Sequence, residues 1–195
     1  LWIAARTQSA GRGRRGRSWS SEPGNLFATL LLAPGRSAAD SARLSFAAAL
    51  SVYDVVRANC PGADVALKWP NDVLIGGAKC SGILLESGGE QSGVLPWLAV
   101  GIGINLAHAP EGTPYPATAL SRHGGTISPN AALHALAHAW AHWYGVWRGQ
   151  GFGALRQAWL GRARGLGQPI TARLVDISLS GTFEGLDGEG GLQLR

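Results

Sequence analysis

Short apolar runs separated by polar breaks fill most of this chain, and the period of the apolar positions changes from one segment to the next. Leu1 to Gln8 reads as a strand entering a long loop, Ser9 to Gly24, and Asn25 to Leu32 reads as a buried strand ended by Ala33-Pro34-Gly35. Ser37-Ala38-Ala39-Asp40 has the form of a capping box and predicts a helix to about Ala58, with Leu44, Ala47, Ala48, Val52, Val55 and Val56 on its core side. Asn59-Cys60-Pro61-Gly62 closes that helix. Val65, Leu67 and Trp69 then alternate with Ala66 and Lys68 as a half-buried strand does, until Pro70-Asn71-Asp72 interrupts the ladder. A short apolar run, Val73 to Ile75, leads to Gly76-Gly77, which supplies the positive φ of a hairpin turn, and Ala78 to Glu86 reads as the returning strand. Strict alternation places Lys79, Ser81, Ile83 and Leu85 on one face and Cys80, Gly82, Leu84 and Glu86 on the other.

After the polar turn Ser87 to Gly93, Val94 to Leu106 reads as another core strand, and Ala107 to Ser128 as a Gly/Pro-rich loop. Ser128-Pro129 starts the clearest helix, in which Leu133, Leu136, Trp140, Trp143 and Trp147 form one apolar stripe. His134, His138 and His142 form a second stripe on the opposite face; without Cys or carboxylate between them they read as solvated rather than as metal ligands. A second helix is predicted near Phe152 to Ala163. From Gly165 the pattern shortens to strand-like pieces, Gln168 to Val175, Gly181 to Leu186 and Gly191 to Leu194, which is the signature of a small β module.

Composition narrows the function classes. With 195 residues, 46% hydrophobic and 15% charged, the chain can bury a full core in one principal domain with a small appendage. No apolar run reaches the roughly 18 residues of a membrane span, and the first residues lack the basic start and long apolar core of a signal peptide. The absence of methionine predicts that the sequence begins inside a longer natural chain. Two cysteines, Cys60 and Cys80, make no disulfide framework, so a reducing, cytoplasmic setting is expected. The net charge of +5 is concentrated in Arg12, Arg14, Arg15 and Arg17, a local cluster that favours a small phosphate ligand over a long nucleic acid.

Candidate chemistry gathers at three places. Fifteen of the seventeen basic residues are arginine, and the only lysines, Lys68 and Lys79, both lie between Lys68 and Glu86. An ammonium is a compact charge whose three donors swing onto one oxygen, unlike a rigid guanidinium, so both lysines are candidates for a crowded reacting centre. The arginines of the first loop are interleaved with Gly11, Gly13 and Gly16, which let the backbone approach a ligand, and a loop of like charges is expected to order on binding. Gly101 and Gly103 are not a dinucleotide fingerprint, because Ile104-Asn105-Leu106 follows instead of a third glycine and a helix; they leave room for a flat ligand. Gly82, inside a strand, marks a bulge or a close approach.

The run K-W-P-N-D from Lys68, followed by Lys79 and by G-I-L at Gly82, resembles the central motif of biotin protein ligases. G-R-G-R-R-G-R-S-W at Gly11 to Trp19 and G-I-G-I-N at Gly101 to Asn105 resemble two further motifs of that family, in the same order. The resemblance implies an α+β fold: a mixed central β-sheet with helices packed on one side, like the class II aminoacyl-tRNA synthetase-like ligase core, over residues 1–164. A small SH3-like β module, incomplete as given, would follow over 165–195. It implies activation of biotin by ATP to biotinyl-5′-AMP and transfer to a lysine of a biotin carboxyl carrier protein, as of acetyl-CoA carboxylase. Lys79, Arg12 and Asp72 would be catalytic. Gln8, Gly11, Arg12, Gly13, Arg14, Lys79, Gly82, Leu84 and Gly101 would bind biotin; Arg14, Arg17, Trp19, Lys68, Asn71 and Asn105 would bind ATP or the adenylate. Arg15 would be a spectator, and Mg²⁺ would ride on the ATP phosphates, with Asp72 as its candidate protein ligand. The family's Ser-Thr-Asn-type biotin-contacting strand lies outside the sequence given, as would any N-terminal helix-turn-helix, and pairing of sheet edges would make a homodimer.

Two other readings stay open on these residues. Lipoate ligases and octanoyl transferases resemble this fold and carry a functional lysine, differing by substrate. A nucleic-acid-binding module built on the arginine loop predicts salt-sensitive binding without biotin.

Overall fold

The computed structural model describes residues 1–173 and 177–195. Six strands, β1 (Trp2–Ala5), β2 (Leu26–Leu32), β3 (Val65–Lys68), β4 (Asp72–Ile75), β5 (Ala78–Ser87) and β6 (Leu98–Ile104), form one sheet in the order β1-β2-β6-β5-β4-β3. Every ladder in it is antiparallel, so the expectation of a mixed sheet is corrected; parallel pairing is confined to isolated bridges, Leu67 with Ala163 and Lys79 with Ala117. Both glycines of the β4–β5 turn have positive φ, 56° at Gly76 and 82° at Gly77, as a two-residue hairpin requires.

One face of the sheet carries the core. Ala28, Leu30, Val73, Ile83, Val100, Ile102 and Ile104 turn toward the helices α2 (Leu44–Asn59) and α3 (Pro129–Gln150). Ala47, Ala48 and Ala49 let α2 approach its neighbours closely, and it is buried over most of its circumference, more than the single core side expected. The predicted helix from Ser37 is two: Ser37 caps α1 (Ala38–Ala42) by accepting from Asp40 N, and Arg43 separates it from α2. In α3, Leu136, Trp140, Trp143 and Trp147 are buried while His134, His138 and His142 are exposed. The strand expected from Val94 starts only at Leu98, because Val94 pairs with Gln91, Leu95 N donates to Arg36 O at 2.8 Å, and Pro96 has no N–H for the ladder.

Helix α4 (Phe152–Leu160) and a second, antiparallel sheet of β7 (Pro169–Arg173), β8 (Ser178–Leu186) and β9 (Leu192–Leu194) complete the fold. The end of the predicted strand Gln168 to Val175 lies outside the described residues. Phe183 and Leu186 of β8 belong to the same hydrophobic cluster as Phe46, Phe152 and Trp159. The β8–β9 turn is tied to the main sheet by Trp69 Nε1, which donates to Gly190 O at 3.0 Å, and to the α1–α2 junction by Arg43, which pairs with Glu189.

Candidate active site

The opposite face of the sheet is a cleft floored by glycines. Gly82 pairs with Gly103, Leu84 pairs with Gly101, and Phe27 and Thr29 of β2 continue the floor. Lys79 joins this face by a break in alternation. Leu74 pairs with Lys79 but Val73 with Ser81, so Cys80 is an extra residue in β5, and Cys80 and Ser81 are both buried. The expected faces are therefore corrected: Lys79 lies with Gly82 and Leu84, and Ser81 with Ile83. Buried among apolar groups, Cys80 has its thiol pushed up to about 12.

Lys79 Nζ stands 2.5 Å from Asp72 Oδ1, and 5.5 Å from the centre of the Trp19 ring. Trp19 lies directly over the glycine floor: a Cβ at Gly103 would stand 2.5 Å from its ring, and one at Gly82 2.9 Å. Those two glycines are required by the indole, whose buried Nε1 has no hydrogen-bond partner among the described residues. The arginine loop is a small hairpin, with an Arg12 to Ser18 bridge, Gly13 N donating to Arg17 O at 2.7 Å and Trp19 N to Gly11 O at 2.9 Å.

The candidate residues divide into those that line the cleft and those that shape it. Arg14 donates to Asn71 Oδ1 at 3.3 Å, and burial, then the like charge of Arg15, hold its guanidinium below the usual arginine range. Asn71 in turn donates to Ile83 O. Arg17 Nε reaches Arg14 O at 3.4 Å, and Arg15 donates to Arg173 O at 3.2 Å. Arg12 turns to Glu86 at 3.3 Å; with side chains 68% and 52% exposed, this pair is weak and readily exchanged for a ligand. Gln8 lines the cleft and accepts from Ser21 Oγ at 2.9 Å. Gly11 packs against the carbonyl of Trp19 and the side chain of Gln8, where a Cβ would come within 2.6 Å and 2.9 Å. Asn105 is 3% exposed and donates to Thr118 O at 3.1 Å, so it ties the 107–128 loop to the floor.

Sequence reasoning missed Glu86 as a partner of Arg12, and Tyr115 and Arg173 altogether. Tyr115 Oη accepts from Arg173 at 2.7 Å, and Lys68 Nζ lies 5.1 Å from the centre of its ring. The flanking prolines of Pro114-Tyr115-Pro116 were the available signal of a fixed aromatic. Among the described residues no three His, Cys, Asp or Glu side chains come together as a metal site.

The Biotin/lipoate A/B protein ligase family profile matches residues 1–105, and the chain belongs to that family. It is 47% identical, over its whole length and 83% of the relative's, to a biotin--[acetyl-CoA-carboxylase] ligase of Paracoccus denitrificans. It is 32% identical to the bifunctional ligase/repressor BirA of Bacillus subtilis, with 99% of this chain spanning 61% of that protein. The biotin protein ligase from Aquifex aeolicus, solved in complex with biotin and ATP, superposes with a TM-score of 0.84 at 27% identity, covering 99% of this chain and 81% of that one.

Proposed function

We propose that this chain is a biotin protein ligase, which activates biotin with ATP and passes it to a lysine of a biotin carboxyl carrier protein. One observation carries the reading: a lysine held 2.5 Å from a carboxylate faces a glycine floor beneath an arginine loop, in a chain 47% identical to such a ligase.

In the first step a biotin carboxylate oxygen attacks the α-phosphorus of ATP; the new P–O bond gives biotinyl-5′-AMP, the bond to the β-phosphate breaks, and pyrophosphate leaves. Negative charge accumulates on the phosphoryl oxygens and both reactants are anions, so catalysis rests on positioning and on cations already in place. Lys79 is assigned to the junction of carboxylate and α-phosphate, and Arg12, Arg14 and Arg17 to the surrounding oxygens. Asp72 keeps the ammonium aimed there. In the second step a neutral lysine amine of the acceptor attacks the acyl carbon, the C–N bond forms, the acyl C–O bond to the phosphate breaks, AMP leaves, and the amine passes its proton to solvent. Asp72, on the same face as Gly82 across the ladder, is assigned to orient that amine.

Magnesium keeps several waters and binds through one or two carboxylates plus substrate phosphates, which a single Asp72 beside Asn71 fits. Held there with ATP, it would neutralise triphosphate charge. We assign residues 1–164 to catalysis, 165–195 to the small β module that walls the cleft, and an exposed sheet edge to pairing in a homodimer. No helix among the described residues is long and apolar enough to cross a membrane.

Lys79→Ala tests the assignment. Biotinyl-5′-AMP formation from biotin and α-labelled ATP is expected to fall about a hundredfold or more, the scale of losing one preorganised charge donor. Formation at the wild-type rate would remove Lys79 from the mechanism.

A further inference from the structure

The cleft has a second group of cations, farther out than Lys79, that the mechanism above leaves unused. It is reached by a continuous path. Lys79 pairs with Asp72; Asp72 stands opposite Lys68 in the β3–β4 ladder; Lys68 Nζ lies 5.1 Å from the centre of the Tyr115 ring. On the same tyrosine, Arg173 donates to Oη at 2.7 Å, with its guanidinium carbon 5.6 Å from the ring centre. Tyr115 is fixed relative to the reacting lysine, because its neighbour Pro116 accepts from Lys79 N at 2.8 Å and Thr118 N donates to Lys79 O at 2.9 Å.

Lys68 and Arg173 thus meet at one neutral ring, and among the described residues neither has a carboxylate within ion-pair distance. Two cations gathered on an exposed phenol repel one another and gain little from the ring, because an exposed cation–π contact is weak. An anion between them would remove the repulsion and accept from both. The Arg173 hydrogen bond, then its charge, hold the Tyr115 phenol below the ordinary tyrosine range, the direction expected where negative charge is favoured.

We propose that Lys68 and Arg173, gathered around Tyr115, form the subsite for the β- and γ-phosphates of the nucleotide, with Arg173 contributed by strand β7 of the C-terminal sheet. Resting on the ligase reading, this gives ATP a direction in the cleft, with its α-phosphate at Lys79 and its pyrophosphate end at the mouth. It also gives the C-terminal sheet a part in the first half-reaction: β7 closes on the triphosphate, and release of pyrophosphate frees it. Tyr115 is then a positioning residue, keeping both cations at one ring until the anion arrives.

The test compares equilibrium binding of AMP and of α,β-methylene-ATP, an unreactive triphosphate, to the wild-type chain and to Arg173→Ala. Loss of one charge-assisted contact of roughly 1.5 to 3 kcal/mol corresponds to a weakening of about tenfold or more. The triphosphate is expected to bind Arg173→Ala at least tenfold more weakly while AMP, which lacks both outer phosphates, changes less than twofold. Arg173→Lys is expected to recover part of the loss, and Arg148→Ala, an exposed cation at the end of α3, to change neither affinity. Equal weakening for both nucleotides would make Arg173 a structural residue and overturn the subsite, as would unchanged triphosphate binding. A folded wild-type chain that binds neither nucleotide would overturn the ligase reading itself.

Discussion

Cys80 and Lys79 are neighbours in sequence with opposite surroundings, and the difference follows from one extra residue in a strand. The alternation rule assigned Lys79 to the face of Ser81 and Ile83; the bulge at Cys80 moves it to the glycine floor. Gly82 was a legible hint of such an irregularity, but a single sequence does not say which of two adjacent residues is the extra one. The pairing of Lys79 with Asp72 was not legible either, because it depends on that bulge. The thiol of Cys80 is buried and held protonated to about 12, against 9.0 for a free thiol. A disulfide reagent at pH 8 is therefore expected to modify it only as fast as the protein unfolds. The raised value has a definite sign for stability: the contribution is fully present below pH 9 and is lost as pH rises toward 12, where the unfolded chain alone has released the proton. Cys80→Ala is expected to flatten that part of the alkaline slope in denaturant titrations at successive pH values.

Long apolar periodicities were the most legible elements. The tryptophan stripe of α3, the Ser37 and Ser128 caps and the Gly76-Gly77 hairpin are all decided within a few residues, which is the range over which sequence pattern acts. The 107–128 loop was not legible, since its anchors are distant in sequence. Asn25 accepts from Ala107 N at 2.9 Å and His108 N at 3.1 Å and donates to His108 O at 2.9 Å, and Asn105 holds its far side. Removing the 5%-exposed Asn25 side chain strands those backbone groups. Asn25→Ala is expected to lower unfolding free energy by about 2 kcal/mol or more and to weaken ATP binding as the loop loosens; Asn25→Asp keeps the acceptor but turns a second oxygen onto the His108 carbonyl, so it should also be less stable than wild type. Equal stability of the alanine variant and wild type in urea would show that the loop is held by other contacts.

The two sheets share one hydrophobic cluster, and the small one supplies a wall of the cleft. A β module was legible from the change of composition at Gly165; its continuity with the main core was not, because the partners of Phe183 in that core and those of Gly190, Phe46 and Phe152, are distant in sequence. If the sheets are energetically one unit, Phe183→Ala should destabilise the entire chain by about 3 to 5 kcal/mol. Tryptophan fluorescence and far-ultraviolet circular dichroism are then expected to report a single shifted transition. Two separated transitions, with only the C-terminal part affected, would mean that the module folds alone.

Pyrophosphate exchange into ATP, measured at fixed Mg²⁺ with biotin, with lipoate and with no acid added, tests the central claim most directly. A folded sample is predicted to exchange with biotin alone and to lose that exchange on Lys79→Ala. Exchange driven by lipoate and not by biotin, or none with either acid, would contradict it.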